Sequence, residues 1–132
     1  MSEPSAAPVL LSLTAIRVTD LARSAEFYAA CGFVRESAFS TDTFDAVILR
    51  AGAAGVELIA PHGEPAPIEH GSMFTKLVCN TAEVAAVMAS GCAHGGTEEL
   101  PATILDRFGG RTLGMVRDPD GYLLEFVGPP AR

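Results

Sequence analysis

The feature that most constrains this chain is that it reads through one order of elements twice. Residues 9–18 form a run rich in Leu, Ile and Val that reads as a buried strand. Asp20 can cap a following helix through its carboxylate, Leu21, Ala25, Tyr28 and Cys31 recur at helical spacing, and Gly32 supplies a left-handed stop. Residues 33–39, 44–50 and 55–60 follow as three short strands between polar or Gly-rich turns. A Pro-rich stretch at 61–67 has too few apolar residues to pack and reads as a linker. The order then restarts. Residues 73–79 predict a strand, Asn80 and Glu83 have capping-box spacing, and Val84, Val87 and Met88 stripe a helix that Gly91 ends. Strands at 97–105, 111–117 and 122–127 complete the second copy, with Leu100-Pro101 as an irregularity and Asp118-Pro119-Asp120-Gly121 as a strong turn. The expectation is a βαβββ unit written twice: one domain over 1–132, module one at about 9–60, a linker at 61–71 and module two at about 72–128.

The repeat superposes particular residues. Leu13 and Phe74 each lie five residues before the end of the first strand of their half; Glu57 and Glu125 occupy matching positions in the last strand. Side chains alternate faces along a strand, so a Glu between bulky apolar neighbours faces away from the core, toward solvent or a cavity. Its occurrence at both equivalent positions favours a shared cavity. Lys76 shares parity with Phe74, and Arg17 with Leu13, so both cations can face the same space. Arg17, at the end of its strand, is equally well read as reaching water. Phe44 and Phe108, with Phe39, Met73 and Tyr122, are candidates to line a pocket for a flat apolar ligand, although most such residues in a domain are core. Residues 106–111 read as a loop over the cavity, where specificity often resides. Three histidines, His62, His70 and His94, fall in loops and read as exposed or locally bonded.

Composition removes several classes of function. Nine Lys and Arg against 16 Asp and Glu leave a net charge of −7, which disfavours nucleic acid as a partner. No apolar run is long enough to cross a bilayer, and Met1-Ser2-Glu3-Pro4 lacks a basic region with an apolar segment behind it, so neither a membrane span nor a secretory signal is expected. Three cysteines without CxxC spacing argue against a disulfide framework or zinc site and fit buried thiols in a reducing cytoplasm.

Two segments carry a resemblance. Arg17-Val18-Thr19-Asp20-Leu21-Ala22-Arg23-Ser24-Ala25-Glu26-Phe27-Tyr28 with Gly32-Phe33, and Val116-Arg117-Asp118-Pro119-Asp120-Gly121-Tyr122-Leu123-Leu124-Glu125-Phe126, resemble the vicinal oxygen chelate superfamily. That superfamily includes glyoxalase I, extradiol dioxygenases, fosfomycin-modifying enzymes and bleomycin-resistance proteins. The resemblance implies an α+β fold of two βαβββ modules forming a cupped eight-stranded mixed sheet with helices outside, often completed by a second subunit. In metal-dependent members the first and fourth strands of each module supply the ligands; here those positions read Leu13, Glu57, Phe74 and Glu125. Leu and Phe offer no donor, so the expectation is no tight metal and no cofactor. The residue matching Arg17 in glyoxalase I contacts the carboxylate of glutathione, but the positions completing that anion site do not match here.

Three readings follow. The first is a metal-independent protein binding a small organic molecule, aromatic or cationic, in a cup lined by Glu57 and Glu125, with Lys76, Arg17, Leu13, Phe74, Phe44 and Phe108 around the ligand. The second is a metal-free lyase or isomerase of the glyoxalase type, in which Glu125 or Glu57 removes a proton next to a carbonyl while Lys76 or Arg17 stabilises the enolate. The third is a glyoxalase-type lyase or dioxygenase that holds a metal weakly through Glu57 and Glu125. A homodimer is expected, because short modules leave open strand edges and an apolar mouth.

Overall fold

The structure, a computed structural model, describes residues 7–72 and 74–130. Its elements are β1 (Leu13–Arg17), α1 (Leu21–Ala30), β2 (Val34–Ser40), β3 (Phe44–Ala51), β4 (Ala54–Pro61), β5 (Lys76–Asn80), α2 (Val84–Ala93), β6 (Thr97–Leu105), a single 3-10 turn (Asp106–Phe108), β7 (Arg111–Arg117) and β8 (Leu123–Val127). The repeated βαβββ order is therefore present.

Local chemistry explains most element ends. The Asp20 side chain accepts the Arg23 N–H at 3.1 Å and caps α1, and Gly32 at φ 96° turns the chain out of it. At α2 two expectations need correction. Instead of an Asn80–Glu83 capping box, the Thr81 hydroxyl accepts the Glu83 N–H at 3.1 Å, and Glu83 makes no side-chain cap. The helix also runs past Gly91 to Ala93, with the positive φ falling at Gly95. Gly91 is needed for close approach: a Cβ there would lie 2.9 Å from Cys31 Sγ and 3.1 Å from the Phe27 ring. The first strand is shorter than expected, since Val9, Leu10 and Leu11 are exposed and precede the ladder. Lys76 opens β5; Met73, expected to start that strand, lies outside the described residues.

The eight strands form two four-stranded sheets, ordered β1-β4-β3-β2 and β5-β8-β7-β6. In each, the first strand pairs parallel with the fourth and the remaining pairs are antiparallel. The irregularity expected at Leu100-Pro101 appears as register shifts on both sides of Leu100, where a proline cannot donate to the ladder.

Period-two alternation sends Val56, Leu58, Leu124 and Phe126 to one side, where they join Phe27, Tyr28, Val84 and Met88 from the helices in one core cluster spanning both modules. Each such side chain contributes roughly 1.5–3 kcal/mol on full burial. Glu57 and Glu125 take the opposite parity. Cys31 belongs to the core, and burial pushes its thiol up to about 12; Cys79 and Cys92 are only half-buried, less than expected.

The two resembling segments hold the modules together. Asp120 accepts the Thr19 backbone N–H at 3.0 Å and the Thr19 hydroxyl. Buried Asp118 accepts the Tyr28 hydroxyl at 2.7 Å and the backbone N–H groups of Asp120 and Tyr122, each at 2.9 Å. The Tyr122 hydroxyl donates to the Arg17 carbonyl at 2.7 Å. The turn that precedes β8 is thus clamped to the start of α1, which fixes where β8 and its glutamate stand relative to module one.

Candidate functional site

Glu125 lies on β8 between two core residues, Leu124 and Phe126, and its own side chain points to the other face. Its ladder neighbours there are Val78 on β5 and Met115 on β7. This apolar setting leaves the residue only 7% exposed, so its charge needs a local partner. Lys76 supplies it: Nζ donates to Oε1 at 3.1 Å. Lys76 pairs with Leu123, two residues before Glu125, so the lysine stem crosses the strand diagonally. Its ammonium also lies 5.9 Å from the centre of the Phe74 ring.

Two concavities open beside this pair, and Lys76 lines both. One, of about 430 Å³, lies where β1 of module one faces β5, with Ile16, Phe74, Arg117 and Tyr122 in its wall and residues 68–72 of the linker over it. His70 secures that linker, its Nε2 lying 2.9 Å from the Asp120 carbonyl and its ring edge-on to Tyr122. The other, of about 580 Å³, lies on the open face of the second sheet between Glu125, Leu113, Val127 and the turn carrying Arg107 and Phe108. Both fall in the range of roughly 300–1,000 Å³ usual for small-molecule sites.

The remaining candidates divide. Phe74 lines the first concavity and Phe108 the second. Glu57 is half-buried on β4 with Ala15 and Ile48 as ladder neighbours; among the described residues its side chain makes no hydrogen bond or ion pair, and it lines neither concavity. Leu13 is half-buried opposite Gly55 and Phe44 packs edge-on against Phe39, and neither lines either concavity. Arg17 donates to the carbonyls of Ala66 and Pro67, fastening the linker. The histidines are locally bonded as expected: His62 to Asp45 and the Asp42 carbonyl, His70 to Asp120, and His94 to the Ser90 carbonyl.

The sequence marks the 106–111 loop without assigning roles to its arginines, gives Arg117 no role, and places His70 only as an exposed or locally bonded loop histidine. The signal for Arg111 was present: it shares β7 parity with Leu113 and Met115, which face Val127 and Glu125. His70 depends on where the linker returns, which no local pattern encodes.

A metal of the kind the superfamily uses does not fit the donor set. Leu13 and Phe74 supply no donor, and Oε1 of Glu125 is held by an ammonium group. Among the described residues no three His, Cys, Asp or Glu side chains converge.

Residues 10–126 match the profile of the Glyoxalase/Bleomycin resistance protein/Dioxygenase superfamily. No curated protein sequence matches the chain. Among solved structures, a glyoxalase I mutant from Zea mays superposes with TM-score 0.80 at 20% identity over 92% of this chain and 45% of that one, so the chain spans about half the length of the maize enzyme. The trypanothione-dependent glyoxalase I of Leishmania major superposes with TM-score 0.76 at 23% identity, covering 92% and 87% of the two chains. A glyoxalase/bleomycin resistance protein from Albidiferax ferrireducens T118 gives TM-score 0.66 at 26% identity, covering 91% and 98%. By its sequence profile and its paired βαβββ modules, the chain belongs to the glyoxalase/bleomycin resistance protein/dioxygenase superfamily.

Proposed function

We propose that this protein binds a small organic molecule in a cup lined by Glu57 and Glu125, without a catalytic metal. The observation that carries the reading is the Lys76–Glu125 pair, a buried carboxylate neutralised by the protein's own cation where metal-dependent relatives would place a ligand. The half-buried ammonium and the apolar walls around it offer a ligand polar anchoring and apolar contact together. Glu57 lines neither concavity and would contribute to the cup from module one, on the open face of the first sheet where it pairs with Ala15. A homodimer in which open sheet faces and edges are covered completes the proposal, and a reducing cytoplasm suits three free thiols. A screen of small organic fragments followed by amide NMR tests the reading. Shifts are expected at Lys76, Val78, Met115 and Glu125, and Glu125→Gln should weaken binding while the fold persists. Fragments that shift none of these residues would contradict it.

A second reading is favoured by the same pair. A carboxylate 3.1 Å from an ammonium provides a proton acceptor and a charge to stabilise an enolate, the two elements of a metal-free lyase or isomerase. Incubation with small carbonyl compounds in D2O would show deuterium entering next to the carbonyl, and Glu125→Gln would abolish it. Unchanged exchange in that variant would exclude Glu125 as the base.

A further inference from the structure

Charge is distributed unevenly in this molecule. The chain carries a net charge of −7, yet four of its nine basic residues line the two concavities, against two carboxylates, Glu69 and Glu125. Lys76 is matched by Glu125 and Arg117 by Glu99 at 3.0 Å. Arg107 and Arg111 have no acidic partner among the described residues. Both stand at the rim of the second concavity, on either side of Gly109 and Gly110, whose φ angles of 68° and 72° turn the loop back on itself.

The loop positions these arginines. Arg107 lies over the Phe108 ring with its guanidinium 5.1 Å from the ring centre. Arg111 spends one N–H group on the Phe108 carbonyl at 3.0 Å, leaving the rest of its planar fork for a ligand. A Cβ at residue 109 would lie 3.2 Å from that guanidinium, so the glycine admits the folded-back arginine. Between the arginines and the Lys76–Glu125 pair the wall is apolar, formed by Leu113 and Val127 with Phe108 beside it.

We propose that the second concavity selects an organic carboxylate with a flat apolar body, its carboxylate held by Arg107 and Arg111 and its body lying over Leu113 and Val127 toward Lys76 and Glu125. This rests on the reading that the Glu125 face binds a small molecule, and it replaces the cationic ligand expected from two glutamates with an anionic one. The reason is electrostatic. Glu125 is already neutralised, and two guanidinium groups without an acidic partner among the described residues give the mouth an excess of positive charge, which attracts an anion and repels an amine.

Three probes of one shape and different charge test the proposal: benzoate, benzamide and benzylammonium, each titrated into the full chain and followed by amide and arginine side-chain NMR. Benzoate should give saturable shifts at Arg107, Phe108, Arg111 and Val127. Arg107→Gln or Arg111→Gln should weaken its binding about tenfold, the effect of losing one charge-assisted contact, with benzamide unaffected. Arg111→Lys should fall between, because it keeps the charge and loses the fork. Thermal melts of the loop variants should match the parent. Benzylammonium binding as tightly as benzoate on the same residues would overturn the anionic class while leaving a small-molecule site intact. Saturable shifts from none of the three would overturn both.

Discussion

Replacing Tyr28 by Phe removes one oxygen from a buried contact and leaves the ring packing in place, so its effect can be worked from the structure. Tyr28 is fully buried, its ring meets Phe27 and Phe33 edge-on at 5.1 and 5.3 Å, and its hydroxyl donates to Asp118 at 2.7 Å. A hydrogen bond to an ionised acceptor contributes about 1.5–3 kcal/mol, whereas one to a neutral acceptor contributes about 0.5–1.5 kcal/mol. Burial raises the Asp118 carboxyl above its ordinary 3.8 while the bonds from Tyr28 and from the Tyr122 and Asp120 backbones pull it down; burial prevails. The folded protein therefore holds this proton more tightly than the unfolded chain. The group's contribution to stability grows as pH falls through the raised value and levels off below 3.8. Losing the tyrosine bond raises the carboxyl further, so the deficit of the variant is largest at neutral pH. Urea unfolding of Tyr28→Phe at pH 7 should show a loss of about 2 kcal/mol, or about 7 °C in Tm for a chain of this length, shrinking toward about 1 kcal/mol once Asp118 is protonated. A loss under about 0.5 kcal/mol at pH 7, or one independent of pH, would refute the role assigned to this contact.

Asp120→Ala removes the acceptor for the Thr19 N–H and hydroxyl and should destabilise the protein by about 1–3 kcal/mol, measured by the same unfolding assay. His62, bonded to Asp45 at 3.0 Å, is raised above its ordinary 6.5 by that bond, and Asp45 is lowered. Their contact persists between these values, lapsing as pH rises through the raised histidine value or falls through the lowered Asp45 value; an NMR titration of His62 should move down in Asp45→Asn. Sedimentation should find a homodimer, since β2 is exposed along its whole length and Val34, Phe39 and Val78 are open; a 13.7 kDa monomer at micromolar concentration would refute this.

The repeat was legible because apolar periodicity and turn chemistry are local. Asp20, Gly32 and the Asp118–Gly121 turn mark element ends through their own backbone and side-chain preferences, and the structure keeps all three. Gly91 misled for a physical reason: a glycine that ends a helix and one that admits a neighbouring helix look alike until Phe27 and Cys31 are seen against it. The same limit applies to the site. Parity along β5 and β8 put Lys76 and Glu125 on one face, and the ion pair follows from that register. What Arg17 would do depended on the path of the linker, whose Ala66 and Pro67 carbonyls take up its guanidinium. That Arg107 and Arg111 have no acidic partner among the described residues is likewise a property of the surrounding fold.

The proposal that Lys76 neutralises Glu125 in place of a metal is tested most directly by elemental analysis. Protein purified without chelator, exposed to zinc, nickel, iron and manganese and then dialysed, should retain far less than one equivalent of any of them. About one metal per chain, lost on Glu57→Ala, would contradict the account.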